Sequence, residues 1–466
     1  MKKIFLIFTF ILFWAGWFFS FRYQLIWLEG FSFFSTLPDY TDIHLNIPRD
    51  IFRYVGSFLL QFYAMPVVGA AIQAILPVLF ILCVYGIVCK LFDDNRNLLW
   101  IAYLPLPVFI FSQMVDLSLK VATQMVILSA LALLIVYVAT VKGKPFRSML
   151  RFFHNKYLAL ILLLSTLAVS GYVFYNNESM NSNHESLAYL EYLSKNKRWD
   201  KILKTVSVQD AAKVEYKRKY ALLALSEIGR LPDFAFRYGL SSSNDFVYAK
   251  PKGPYECHFN VFFYRAMGMN NPVVHSASER ALLTLPGLTF DTVRVLADVY
   301  LEQNDYVMAK KYMDLLSHTT CHGEWIRERL PNLEAIKDAE PEYRATGDPF
   351  AMDYFLRDLS SMVERYKQNT KYADYLLCGL LADKDGNRFF QVFTILHPRL
   401  YSDGNVPALY QEALLLIASK EPDILQMYRI DEEVWEKFND FTELMRSGKT
   451  AYAKRKYAGT YWAYVY

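Results

Sequence analysis

Cysteine is scarce in this chain. Its 466 residues hold five, of which Cys83 and Cys89 fall inside an apolar run and Cys257, Cys321 and Cys378 in the polar part. An odd count of three permits at most one disulfide there, which excludes a disulfide framework and leaves the fold to core packing. A basic surplus is missing where nucleic-acid binding would need it. Residues 1–175 carry 13 Lys+Arg against 7 Asp+Glu, which leaves 37 against 39 for residues 176–466. Contact with nucleic acid requires a concentrated basic surface, so that class is excluded. Charge is absent from mid-span depth as well, where Gln61, Gln73, Gln113 and Gln124 are the main amides. Ion and proton pathways need ionisable groups at that depth, so a transporter is a poor match.

Complete catalytic motifs are also lacking. Ser447, Gly448, Lys449 and Thr450 match the end of a phosphate-binding loop, but Glu443 stands where the opening glycine belongs, and its carboxylate repels phosphate. A solvated helix end accounts for these residues. His318, Cys321 and His322 lie within five residues, with Cys257 and His258 as a second pair. Imidazole and thiolate suit zinc, yet nothing in the sequence forces the clusters together, and caps or satisfied core groups explain them. No metal and no cofactor is expected.

What is present is apolar length. The chain is 54% hydrophobic, above the soluble norm. Two lysines precede an apolar run over residues 4–20 that lacks a small-x-small cleavage site, Trp14, Trp17 and Phe18 standing there instead, so an uncleaved anchor is expected. Residues 24–50 follow as an aromatic-rich outer loop with Asp39, Asp42 and Asp50. The apolar stretch 51–89 is roughly twice what a ~30 Å hydrocarbon core requires, and Pro66 splits it into an interfacial helix over 48–65 and a span over 66–89. Further spans are expected over 98–115, carrying Pro105 and Pro107, over 120–140 and over 157–175. Five crossings from an inner N-terminus place nine Lys+Arg inside, five of them in residues 141–156, against Arg22, Arg49, Arg53 and Lys120 outside. That bias fits retention of cations on the inner face.

Beyond a linker over 176–183, residues 184–466 show no further span and switch to helical periodicity. The clearest unit is 292–317, where Leu296, Ala297, Tyr300, Tyr306, Ala309, Met313 and Leu316 resemble a tetratricopeptide helix pair with its turn at 302–305. Aromatic or apolar residues recur at Trp199, Phe234, Tyr306, Phe389 and Ile424, with gaps of 35, 72, 83 and 35 residues, which predicts repeats of about 35 residues interrupted near 331–349. Cys321 stands where the family closes its repeat with proline and Val293 where it places tryptophan, so the usual peptide-carboxylate clamp does not carry over. The layout as a whole, and residues 48–66 with Asp50, Tyr54, Ser57, Phe58, Gln61, Phe62 and Pro66, resembles an uncharacterised multi-pass membrane-protein family of Bacteroidota.

The expected fold is therefore all-α, a polytopic helical half over 1–175 and an α-solenoid of tetratricopeptide-like pairs over 184–466. The expected location is a bacterial inner membrane with the second half periplasmic. The expected role is a scaffold for protein partners in the cell envelope, with the lipid bilayer as its other partner. The alternative is a glycosyltransferase-like enzyme acting on a lipid-linked substrate through Asp39, Asp42 and Asp50, because a loop carboxylate can serve as base beside a membrane-embedded phosphate.

Overall fold

The computed structural model describes residues 2–47, 50–92, 98–140, 156–176, 182–284, 287–341, 355–401, 404–419 and 422–466, and among them every regular element is helical. The basic loop expected inside, 142–151, lies outside the described residues. Two compact units emerge. One comprises Met1–Tyr189 with Thr284–Pro341, the other Leu190–Leu283 with Glu342–Tyr466. This division does not follow the linker expected at 176–183, of which 177–181 are outside the described residues. Its first boundary falls within the helix Ser182–Lys195, and the helix pair near 292–317 belongs to the same unit as the apolar helices.

In the first unit, α1 (Lys2–Ser20), α2 (Arg22–Gly30), α3 (Pro38–Leu45), α4 (Ile51–Leu60), α5 (Pro66–Phe92), α6 (Leu99–Tyr103), α7 (Leu106–Val115), α8 (Lys120–Thr140) and α9 (Lys156–Tyr175) follow in order. Among the described residues four helices are long and apolar enough to cross a membrane: Lys3–Ser20, Pro66–Phe92, Lys120–Ala139 and Tyr157–Tyr175. The third expected span, 98–115, is instead the two short helices α6 and α7, parted at Leu104 and Pro105. Proline explains the break, since it removes an amide donor and clashes with the preceding turn. The outer loop expected over 24–50 is also more ordered than its composition suggests, because α2 and α3 occupy most of it. Of the stretch 48–65 expected as one interfacial helix, Ile51–Leu60 form α4 and Gln61–Ala64 a 3-10 turn, while residues 48 and 49 are outside the described residues.

Aromatic wedges and two polar pairs join these helices. Phe13, Trp17 and Phe21 all set their rings edge-on to Phe174 of α9, with centroids 6.0, 5.3 and 5.3 Å apart. Buried Gln113 of α7 donates through Nε2 to Oε1 of Gln73 in α5 at 2.7 Å, and Thr9 and Tyr103 share a hydroxyl contact of 2.9 Å. Buried polar groups must find partners, and these four find them across helices.

The second unit stacks short helices. Its largest buried residues include Trp462, Arg280, Tyr220 and Tyr375. A loop between helices is tied inward by Asp245, which accepts from Ser241 N–H at 2.8 Å and from Arg218 at 2.9 Å, and by Asp383, which accepts from Ser243 N–H at 2.8 Å. Buried Lys219 donates to the carbonyls of Asn244 at 2.6 Å and Val247 at 3.1 Å.

One local device recurs in both units. A residue with positive φ closes a helical turn at Lys197, Gly229, Gly239, Gly268, Asn304, Lys384 and Gly448. The amide of the following residue then bonds the carbonyl five residues earlier, at 2.8 to 3.0 Å in all seven cases. That closure is the Schellman turn, which satisfies orphan carbonyls at a helix end, and at all but Gly239 the next helix starts at once. The seven positions are 32, 10, 29, 36, 80 and 64 residues apart, whereas the aromatic marks fall at different points: Trp199 and Tyr306 open helices, Phe234 ends one and Phe389 sits within one. The irregular insert expected from 331 is in part regular, since Pro331 lies inside the helix Gly323–Ala335; residues 342–349 are outside the described residues.

Candidate functional site

The first unit holds a cluster of ionisable side chains with little solvent contact. Glu29, near the end of α2, meets Arg294 of the helix Phe290–Glu302 in a two-pronged pair, Nη1 to Oε1 at 3.1 Å and Nη2 to Oε2 at 2.9 Å. Arg294 Nη2 also donates to Asp291 one turn earlier at 2.6 Å. His322 completes the group, with Nε2 at 3.1 Å from Glu29 Oε1 and 3.2 Å from Arg294 Nη1. Its Nδ1 lies 2.9 Å from Thr319 Oγ1, which donates onward to the Leu316 carbonyl at 2.7 Å. Burial pushes the Glu29 carboxyl up, but Arg294 and the hydrogen bonds from His322 and Arg294 outweigh it and hold the group below its ordinary value.

Backbone geometry makes this meeting possible. A Cβ on Gly30 would stand 2.2 Å from Asp291 Oδ2, so a side chain there would displace the carboxylate that Arg294 holds. Phe290 N–H donates to the Ser32 carbonyl at 2.8 Å and Thr36 N–H to the His318 carbonyl at 2.9 Å. Gln61 Oε1 accepts from Thr320 N–H at 2.9 Å. Around them Phe33, Phe34, Phe290, Val293 and Leu316 form one apolar cluster. Side chains of Glu29 and His322 are each 4% exposed, which denies a substrate access. The arrangement is a clasp that joins the segment after α2 to the helix pair.

The expected site residues separate. His318 and Cys321 are exposed while His322 is buried in the clasp, and the second pair, Cys257 and His258, is buried in the other unit, where His258 Nδ1 faces Glu191 at 3.3 Å. Among the described residues no group of three or more His, Cys, Asp or Glu side chains could hold a metal ion. Asp39 and Asp42 are exposed on α3, whereas Asp50 accepts from Lys120 Nζ at 2.9 Å. That hydrogen bond holds the Asp50 carboxyl below its ordinary value. Gly448, with φ of 78°, is the stop between the helices Glu432–Arg446 and Thr450–Lys456. Glu29, Asp291 and Arg294 were not singled out by the sequence. The available signal was Glu29 itself, a carboxylate set between Trp27, Leu28 and Phe31, where a charge needs a partner if it is buried.

The second unit has buried carboxylates of another kind. Asp374 accepts from the hydroxyls of Tyr410 at 2.8 Å and Tyr401 at 3.2 Å, and burial pushes it up to about 6 against the pull of those hydrogen bonds. Glu412 accepts from Tyr461 N–H at 2.6 Å, and burial pushes it up to about 7. Both are satisfied packing groups.

Comparison with curated proteins and with solved structures finds no match. A family model does match over residues 1–175 and 145–466, and since these ranges span the chain from end to end, the protein belongs to a family of unknown function, DUF6057.

Proposed function

We propose that this protein is a bacterial inner-membrane scaffold, one that crosses the membrane five times and holds a tetratricopeptide-like array of helices outside the cytoplasm to bind protein partners during envelope assembly, maturation or secretion. The observation that carries this reading is the recurrence of the Schellman turn at Lys197, Gly229, Gly239, Gly268, Asn304, Lys384 and Gly448. Spacings of 32, 29 and 36 residues suit a repeat of two short helices and 64 and 80 suit two repeats each, while the 10 residues between Gly229 and Gly239 form an extra turn within one. Stacked pairs of that kind present extended surfaces on which partner segments dock. Four span-length helices supply the anchor.

A photo-crosslinking amino acid placed at Ile395 or Met427, 68% and 60% exposed, should give discrete adducts in intact membranes, identified by mass spectrometry as envelope proteins. Absence of adducts from both positions, with the chain present at its native level, would sink the scaffold reading.

A further inference from the structure

The α3–α4 hairpin is placed where two span-length helices begin, α5 at Pro66 and α8 at Lys120. It is fixed to the start of α8. Lys120 Nζ meets Asp50 at 2.9 Å, Thr123 Oγ1 donates to the Phe52 carbonyl at 2.8 Å, and a Cβ on Gly56 would stand 2.5 Å from the Ser118 carbonyl oxygen. A hairpin held there lies at the membrane boundary if α5 and α8 cross.

Two kinds of side chain meet on it. Apolar ones are uncovered, Ile43, Leu45, Ile47 and Ile51 being exposed by 63, 53, 50 and 41%. Water-facing apolar residues in such number mark contact with lipid or with a partner. Charged and polar ones lie near one another at Arg53, Lys120, His44 and Asp50, two permanent cations against one carboxylate. Among them, His44 is 6% exposed, and its Nδ1 and the Nε of Arg53 are buried with no hydrogen-bond partner among the described residues. Buried polar atoms of a native protein are ordinarily met by protein or ordered water, and an unmet pair calls for a water or an ion. A phosphate oxygen suits both, since it accepts from guanidinium, ammonium and imidazole N–H alike.

An anion site beside an uncovered apolar run describes a ligand with a charged head and an oily tail. We infer that the α3–α4 hairpin binds an anionic membrane lipid, its phosphate held by Arg53, Lys120 and His44 and its chain lying along Ile43, Leu45 and Ile47. This goes beyond the scaffold reading and does not depend on it.

The test uses the full chain purified in detergent, with native mass spectrometry of lipids retained from an equimolar mixture of phosphatidylglycerol and phosphatidylethanolamine. Retention of phosphatidylglycerol should exceed that of the zwitterionic lipid by about thirtyfold, as expected for two basic side chains at a lipid surface. Arg53→Gln with Lys120→Gln should bring the ratio to parity, while Ile43→Ser with Leu45→Ser should lower retention of both lipids and keep their ratio. If the double charge variant loses helicity by circular dichroism, Arg53→Gln alone, which leaves the Lys120–Asp50 pair in place, should reduce the ratio by about fivefold. A ratio unchanged in the folded charge variants overturns the proposal. So does displacement of phosphatidylglycerol by inorganic phosphate in millimolar excess, which would show that the site takes free phosphate instead of a lipid.

Discussion

Glu29 is the first acidic residue of the chain, and it is buried at 3% exposure. Taking a carboxylate out of water costs several kcal/mol even after relaxation, and a partner repays this only with close, multiple hydrogen bonds. Arg294 supplies two to Glu29 and a third to Asp291. Removing it leaves the Glu29 and Asp291 carboxylates without the guanidinium they share, Glu29 keeping only His322 as a close partner. Arg294→Met should therefore lower the stability of the full chain by ~3–5 kcal/mol near neutral pH, read as a fall in the thermal midpoint by circular dichroism in detergent. Glu29→Gln should cost less, because Arg294 keeps Asp291. The sign of the pH dependence follows from the direction of the shift. A carboxyl depressed in the folded state contributes stability above its unfolded value, ~4.3, and loses it as pH falls through the folded value. The wild type should lose stability progressively below about pH 5, and Glu29→Gln should show a flatter decline over the same range. Parallel curves for the two proteins would mean that Glu29 is not the ionised partner of Arg294.

The helix pair Phe290–Glu302 and Tyr306–Ser317 shows what a single element needs. Ala297 and Ala309 are both fully buried and share one apolar cluster with Met313, while Lys310 is exposed. An added branched side chain at Ala309 has no void to enter, and overpacking of that kind costs ~1–3 kcal/mol. Ala309→Leu should lower the thermal midpoint of the full chain, and Lys310→Leu should leave it nearly unchanged; equal effects would show that this helix presents a different face. The register of this pair was legible because its alanines and large apolar residues recur at three and four residues. The turns that set the other helices were not. Glycine announces a left-handed turn at Gly229, Gly239, Gly268 and Gly448 and asparagine does so at Asn304, but Lys197 and Lys384 adopt the same backbone with neither, so those two turns carry no residue signature. Aromatic residues were the wrong marker because they fill space wherever the stack requires it, and a position in a groove is not a position in a repeat. The clasp was hidden for another reason. Glu29 and Arg294 stand 265 residues apart, and no local pattern couples residues at that distance.

At the scale of the whole molecule, the side of the membrane on which the C-terminus lies depends on whether α6 and α7 cross. Four helices have the length and apolarity to span, and four crossings would return the chain to the side of its N-terminus. The segment Leu99–Val115 has 17 residues, about 25 Å at the rise of an α-helix, short of a ~30 Å core but within reach of a locally thinned one. Its break at Pro105 frees backbone groups, which a bilayer tolerates where protein surrounds them. Tyr103, Leu106 and Phe109 are fully buried, and Gln113 bonds Gln73 inside the same bundle. The charge bias adds to this, since nine Lys+Arg fall inside and four outside when the pair crosses, and without that crossing the five cations of residues 141–156 would have to be translocated. The expected outcome is five crossings. Alkaline phosphatase fused after Phe92 should be silent, after Val115 active, after Thr140 silent and after Tyr466 active, with a reporter that works only in the cytoplasm giving the reverse series. Silence after both Phe92 and Val115 would show that α6 and α7 form a re-entrant pair, in which case the fusion at Tyr466 should fall silent too and any partner of the helical array would have to be sought in the cytoplasm.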